Sequence, residues 1–158
     1  MSDLSEARLQ QLTRDQCLDL LRSHLFLGRI GYVVDGLAII VPVNFVVDGE
    51  SVVYSTAKGS KLSWLSNHSR VAFQADHGRP ADHSGWSVLI HGTAREVTDP
   101  GELETLRTGS LRSWAIPSAD HWVRISIEHI SGRRIERGVR RVATSRRRRR
   151  TPSTTTTS

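Results

Sequence analysis

Three runs joined by two Asp-Gly steps decide the fold class. They are Arg29-Ile30-Gly31-Tyr32-Val33-Val34, then Leu37-Ala38-Ile39-Ile40-Val41-Pro42-Val43-Asn44-Phe45-Val46-Val47, then Ser51-Val52-Val53-Tyr54-Ser55-Thr56. Asp35-Gly36 and Asp48-Gly49 fall between runs rich in β-branched residues, where Asp-Gly marks a tight hairpin turn because the turn needs positive φ. Two such turns in succession make a three-stranded meander. Pro42 lies inside the middle run and has no N–H to give to a ladder, so the strand is interrupted, bulged or at a sheet edge there. The backbone of Val41-Pro42-Val43-Asn44 is thereby left for another partner, such as a ligand.

Upstream of the meander, residues 1–11 read as a frayed lead-in. A helix begins after Thr13, with Gln16 completing a capping box and Leu12 placed to staple against Cys17. Leu18, Leu21 and Leu25 make its apolar face, so Cys17 reads as a small packed side chain, and Gly28 either ends the helical pattern or breaks the entry to the first strand. Downstream, Arg70–Ala75 is a fourth strand, His77–Ser84 a polar loop and Trp86–Val97 a long fifth strand. Asp99-Pro100 opens a second helix, with proline where its missing donor does no harm and Leu103 and Leu106 facing inward. Trp122–Ile127 alternates as a sixth strand running on towards Gly132-Arg133-Arg134-Ile135. Hairpin-linked strands with a few short helices predict a mainly β fold, a six-stranded antiparallel barrel with helices outside it.

The third run ends in Tyr54-Ser55-Thr56-Ala57-Lys58-Gly59-Ser60-Lys61, followed by apolar groups at helical spacing in Leu62-Ser63-Trp64-Leu65. Backbone N–H groups at a helix start, with ammonium groups nearby, attract a phosphate, and Gly59 lets the chain approach an anion without a Cβ in the way. The stretch is not a P-loop, because Tyr54 stands where that motif has its first glycine and Ser60 intervenes before the lysine. Two readings stand on local sequence: a phosphate grip, or a solvated helix cap with two surface lysines.

Composition bounds the rest. A chain of 158 residues, 37% hydrophobic and 24% charged, suits one domain with a real core. The net charge of +6 is misplaced as a clue to the body, because residues 136–158 hold eight arginines and one acid while residues 1–135 are nearly neutral, with 14 Lys/Arg against 15 Asp/Glu. The expected domains are therefore a folded body, 1–135, and a disordered tail, 136–158, rich in Arg and then Ser/Thr. The Arg146–Arg150 run suits either non-specific binding of a polyanion such as nucleic acid or a solvated tail. No apolar run approaches the ~18 residues of a membrane span. A single cysteine excludes an intrachain disulfide, and Asp3, Glu6 and Arg8 have no apolar block between them; a cytoplasmic location is expected.

Other candidates carry less. The Ala-Asp-His triplets ending at His77 and His83 hold metal-ligand residue types, yet they sit in a Gly/Pro-bearing loop without metal-site spacing, so no metal is expected. Gly85-Trp86-Ser87 lacks the second glycine of a hydrolase elbow. Trp86 and Trp122 read as wall or core residues, no catalytic side chain is identified, and His24, His68, His91, His121 and His129 receive no role.

The ordered set of motifs resembles the pyridoxamine 5′-phosphate oxidase-like family of flavin-binding split barrels, in particular its small bacterial branch, which includes nitroimidazole-resistance proteins. The resemblance runs from about Leu12 to Ile135. It rests on Gly28-Arg29-Ile30-Gly31, Val41-Pro42-Val43-Asn44-Phe45, Thr56-Ala57-Lys58-Gly59-Ser60-Lys61, Val71-Ala72-Phe73-Gln74-Ala75-Asp76, Gly85-Trp86-Ser87-Val88 with Gly92, and Val123-Arg124-Ile125 with Gly132-Arg133-Arg134. It implies a six-stranded antiparallel split β-barrel with short peripheral helices, forming a homodimer with two cofactor sites at the interface. It implies FMN, or in some relatives a deazaflavin coenzyme, with the ring along Val41, Pro42, Val43 and Asn44. Thr56, Lys58, Ser60 and Lys61 would hold the phosphate, and Trp86 and Ser87 would approach, from the partner chain if not from the same one. The implied activity is flavin- or deazaflavin-dependent oxidoreduction of a small molecule, or flavin or ligand binding without turnover. True pyridoxamine phosphate oxidases carry Arg-Lys where this chain has Ser60-Lys61, and their C-terminal substrate segment has no clear match here, so vitamin B6 oxidation is not expected.

Overall fold

A computed structural model describes residues 7–23, 27–57, 67–81, 83–109 and 121–137. The elements in chain order are β1 (Ala7–Leu12), α1 (Arg14–Ser23), β2 (Leu27–Val34), β3 (Leu37–Asp48), β4 (Ser51–Thr56), β5 (Asn67–Arg79), β6 (Ser84–Glu96), α2 (Pro100–Thr108), β7 (His121–Ser126) and β8 (His129–Arg137). All pairings are antiparallel. The order β6-β5-β2-β3-β4-β7 closes on itself through a β6–β7 pairing, giving a six-stranded barrel with β8 and β1 added outside it along β6.

The two hairpins set the register of the meander. Val34 pairs with Leu37 around Asp35 and Gly36, both at positive φ, as a two-residue turn matched to strand twist requires. In the second hairpin Asp48 pairs with Ser51, so the turn residues are Gly49, at φ 57°, and Glu50. The turn thus falls one residue later than Asp48-Gly49 suggested.

Barrel closure depends on Gly92. Residues of β6 up to His91 pair with β8, and those from Ala94 onward pair with β7, so β6 changes partner at this corner. The chain between β7 and β8 passes directly over Gly92. A Cβ there would overlap the carbonyl oxygen of Ser126, the close backbone approach that a strand glycine permits.

The interior is filled by alternate residues of every barrel strand, among them Ile30, Phe45, Val52, Tyr54, Phe73, Val88, Ile90 and Ile125, and Phe45 and Phe73 meet edge to face at 4.8 Å between centroids. Helix α1 adds Cys17, Leu18 and Leu21 to this core. Its start is the expected capping box: Thr13 N–H donates to Gln16 Oε1 at 2.9 Å, and Gln16 N–H to Thr13 Oγ1 at 3.3 Å. A smaller cluster of Val53, Val97, Leu106 and Trp122 lies outside the barrel under α2, whose Asp99 cap accepts from Glu102 N–H at 2.8 Å.

Three expectations are corrected. The lead-in contains a strand, because Ala7–Leu12 finds the open edge of β8. His77–Arg79 continues β5 in register with Ser84–Trp86, which shrinks the polar loop to a turn. The last expected strand is two strands, since the chain breaks pairing at Ile127 and Glu128 before β8 turns along β6. The helical segment expected after Lys61 lies outside the described residues, as do residues 138–158 of the tail. Among the described residues no helix is long and apolar enough to cross a membrane.

Candidate functional site

The barrel is split where β3 meets β4. Their pairing covers Phe45↔Tyr54 through Asp48↔Ser51 and stops. From there β3 runs back along β2 to Leu37, while Ser55 and Thr56 of β4 stay with Trp122 and His121 of β7. Among the described strands, Leu37–Asn44 is paired along one edge only. Pro42 sits in this single-sided stretch and is exposed, so of the three situations considered for it, the edge is the one found.

Strand alternation then sorts the candidate residues. Val41 and Val43 pack towards the barrel core, whereas Pro42 lies on the outward face and Asn44 is half-buried. Thr56, 4% exposed, stands across the parting from them. Ala57 is the last residue described on this side, and Lys58, Ser60 and Lys61 lie outside the described residues. The described part of β4 therefore ends on the far bank of a notch whose near bank is the edge of β3.

Several neighbours of this notch had no role in the sequence reading. His121 is the register partner of Thr56, and its Nδ1 lies 2.5 Å from Glu96 Oε1. These residues are 25 positions apart in sequence, and only the β6–β7 closure joins them. Tyr54, of the last β3–β4 pair, is fully buried and its hydroxyl has no partner among the described residues; the hydroxyl of Tyr32, a buried residue, has none there either. Burial, and secondarily Tyr32, keeps the Tyr54 proton on far above the usual phenol range.

Outward on β2, Arg29 pairs in register with Pro42 on one side and Gln74 on the other. Its Nη1 donates to Asp76 Oδ1 at 2.6 Å and to Gln74 Oε1 at 3.2 Å. Alternation on two adjacent strands was the available signal, but the strand offset had to be known first.

Trp86 and Ser87 lie elsewhere on the wall. They are on β6, with β5 and β2 between them and the free edge of β3. Trp86 is half-buried and packs on the rim of the core, while Ser87 faces outward between Asp76 and Arg133. A groove of about 470 Å³ runs beside them, lined by residues including Gln74, Asp76, Trp86, Ser87 and Arg133. Asp76, one of the metal-type residues, is engaged by Arg29, and Asp82 lies outside the described residues. No group of three His, Cys, Asp or Glu side chains among the described residues is placed to hold a metal.

A second polar cleft, of about 520 Å³, lies at the opposite turn. Its Arg124 is already engaged, donating to Asp48 Oδ2 and Glu102 Oε1 at 2.7 Å each, and also to Ser51 Oγ. This network ties the β3–β4 turn and α2 to β7.

Comparison with known proteins places these features in context. The sequence profile of a family described as pyridoxamine 5′-phosphate oxidase matches residues 13–134. An uncharacterised Mycobacterium tuberculosis protein, Rv0080, is 32% identical over 139 residues, covering 85% of this chain and 90% of that protein. Among solved structures, the FAD binding protein from Mycobacterium smegmatis is 35% identical with a TM-score of 0.63, covering 80% of this chain and 98% of that one. A putative pyridoxamine 5′-phosphate oxidase from Corynebacterium glutamicum is 29% identical with a TM-score of 0.69, covering 88% and 99%.

Proposed function

The chain belongs to the pyridoxamine 5′-phosphate oxidase family, and on that premise we propose that it binds a flavin in the notch between β3 and β4 and uses it to exchange electrons with a small molecule. One observation carries the reading: β3 parts from β4 beyond Phe45, so that Val41–Val43 is in register with β2 alone and faces, across the parting, the strand that leads through Thr56 towards the lysine-bearing stretch. A flat heterocycle with a phosphate tail needs those two things, backbone groups for the ring and cationic or hydroxyl donors for the anion. Lys61 neutralises the phosphate, with Ser60 and Thr56 donating hydrogen bonds and Lys58 adding charge. When bound, the flavin supplies the redox chemistry, and this chain's residues bind and orient it.

FMN is the proposed form, with a deazaflavin coenzyme as the alternative. The similar mycobacterial protein described as FAD binding supports a flavin, and it also favours a second reading in which the chain holds the cofactor without turnover. The proposed setting is the cytoplasm, consistent with a lone, buried Cys17.

The active unit we propose is a homodimer formed through the outward face of β2, β3, β5 and β6. Val33 and Ile40, 67% and 72% exposed, flank a groove of about 500 Å³ whose floor includes the small residues Gly31 and Ala72. A face with both a protruding Ile and a recess fits a second copy of itself. Such a dimer gives Trp86 and Ser87 a way to approach the partner's notch.

The test is an absorbance spectrum of the purified full chain, alone and titrated with FMN, FAD and a deazaflavin coenzyme. A saturable change in the flavin bands supports the reading, followed by reduction of the bound flavin by nicotinamide coenzymes for turnover. Absence of any binding overturns it. Removing residues 138–158 then tests whether polyanion binding belongs to the tail alone.

A further inference from the structure

Asp76, Ser87 and Arg133 stand in one row across β5, β6 and β8, because Asp76 pairs with Ser87 and Ser87 with Arg133. The next row on the same face is Gly78, Gly85, Ile135 and Leu9, about 7 Å further along the strands. Two opposed glycines leave bare backbone as the floor there. Ile135 and Leu9, 41% and 62% exposed, give that floor an apolar flank. Both rows line the groove of about 470 Å³ beside Trp86, a volume suited to a small molecule. The charges in the groove do not cancel. Asp76 is taken up by Arg29 Nη1 at 2.6 Å and by Gln74 Nε2 at 3.0 Å. Arg133 is exposed and makes no hydrogen bond or ion pair among the described residues, and neither does the Ser87 hydroxyl. His83, the other ionisable residue of the lining, can add only positive charge.

We infer that this groove is a second binding site, separate from the notch, for a small monocarboxylate with a flat apolar body. The carboxylate lies on Arg133, with the Ser87 hydroxyl donating to it, and the body covers Gly78 and Gly85 against Ile135. A guanidinium presents a planar fork of donors that matches a carboxylate. One uncompensated guanidinium balances a single negative charge. The glycine floor admits a flat group, because no side chain rises from it. Binding there does not depend on a flavin.

The experiment titrates benzoate into the isotope-labelled full chain without FMN and follows the backbone amides by NMR. Saturable shifts centred on Gly78, Gly85 and Ser87 are expected. Arg133→Gln weakens binding about tenfold or more, as loss of a hydrogen bond to a charged group does, and Arg133→Lys weakens it less. Gly78→Val also weakens it by filling the floor, and the fold accepts this change because a Cβ on Gly78 meets nothing within 4 Å. Arg14→Gln removes the same charge at the distant turn, where Arg14 pairs with Glu50, and leaves benzoate affinity unchanged. Benzyl alcohol, which keeps the ring and lacks the charge, binds more weakly than benzoate. Saturating FMN leaves the benzoate shifts in place. Shifts centred elsewhere, no saturable shift, or equal affinity in wild type and Arg133→Gln overturn the inference. Displacement of benzoate by FMN overturns a separate site while leaving the flavin reading intact.

Discussion

Phe45 and Tyr54 are the last residues that β3 and β4 pair before the two strands part. Below this pair the sheet is continuous; above it β3 belongs to β2 and β4 belongs to β7. The residues assigned to the flavin on these two strands, Val41–Asn44 and Thr56, all lie above it. Both side chains of the pair are buried, with Phe45 packed on Phe73, so the floor of the parting is as rigid as the core itself.

Lys61→Ala weakens FMN binding by about 1.5–3 kcal/mol, the usual size for hydrogen bonds to charged groups. Fluorescence quenching of FMN titrated with wild type and variant measures it. Unchanged affinity removes Lys61 from the grip.

Ile40→Glu places a charge on the most exposed large apolar side chain of the outward face. If that face joins two copies, the variant raises the dimer dissociation constant by about 2 kcal/mol or more. Sedimentation velocity reads the change, and an unaltered dimer moves the interface elsewhere.

Gly92→Ala puts a methyl group into the Ser126 carbonyl, where backbone on both sides prevents simple side-chain adjustment. A cost of about 2 kcal/mol or more is expected, within the range for overpacked cores. Urea unfolding followed by circular dichroism checks it, and wild-type stability would mean that β7 does not close on β6 at this point.

Glu128 is held below the usual carboxylate range, first by the Thr93 hydroxyl, which donates at 2.6 Å, and also by Ser126 and Arg70. A depressed folded-state pKa means that the unfolded chain binds the proton more readily. The stabilisation is therefore present above about pH 4.3, the ordinary glutamate value, and is lost as pH falls through the lower folded value. Glu128→Gln should lower the urea midpoint at pH 7, and the difference from wild type should vanish under acid. A constant difference down to pH 3 contradicts this.

Much of the barrel was legible because its signals are local. Asp35-Gly36 and Asp48-Gly49 announced the meander, and Thr13, Gln16 and Asp99 announced both described helix starts. Ala7–Leu12 was not legible, since a polar, weakly alternating segment becomes a strand only when the open edge of β8 is beside it. The break at Ile127 and Glu128 was marked only by a change of phase, with apolar residues at Ile125 and Ile127 and then at Ile130, and its cause, the crossing over Gly92, is not local. At the candidate site, Pro42 pointed from sequence to an interruption, a bulge or an edge, and the pairing selects the edge. Arg29, Asp76, Glu96 and His121 gave no such sign, because their partners are set by offsets between strands and by closure of the barrel. Trp86 and Ser87 were grouped with the notch on resemblance, and in one chain two strands separate them from it.

The central claim places a flavin against the edge of β3 that parts from β4, and a crystal structure grown with saturating FMN tests it most directly. The account predicts ring density along Val41–Asn44 with the phosphate near Thr56 and Lys61. Solvent alone in that notch, or FMN bound at another surface, would contradict it.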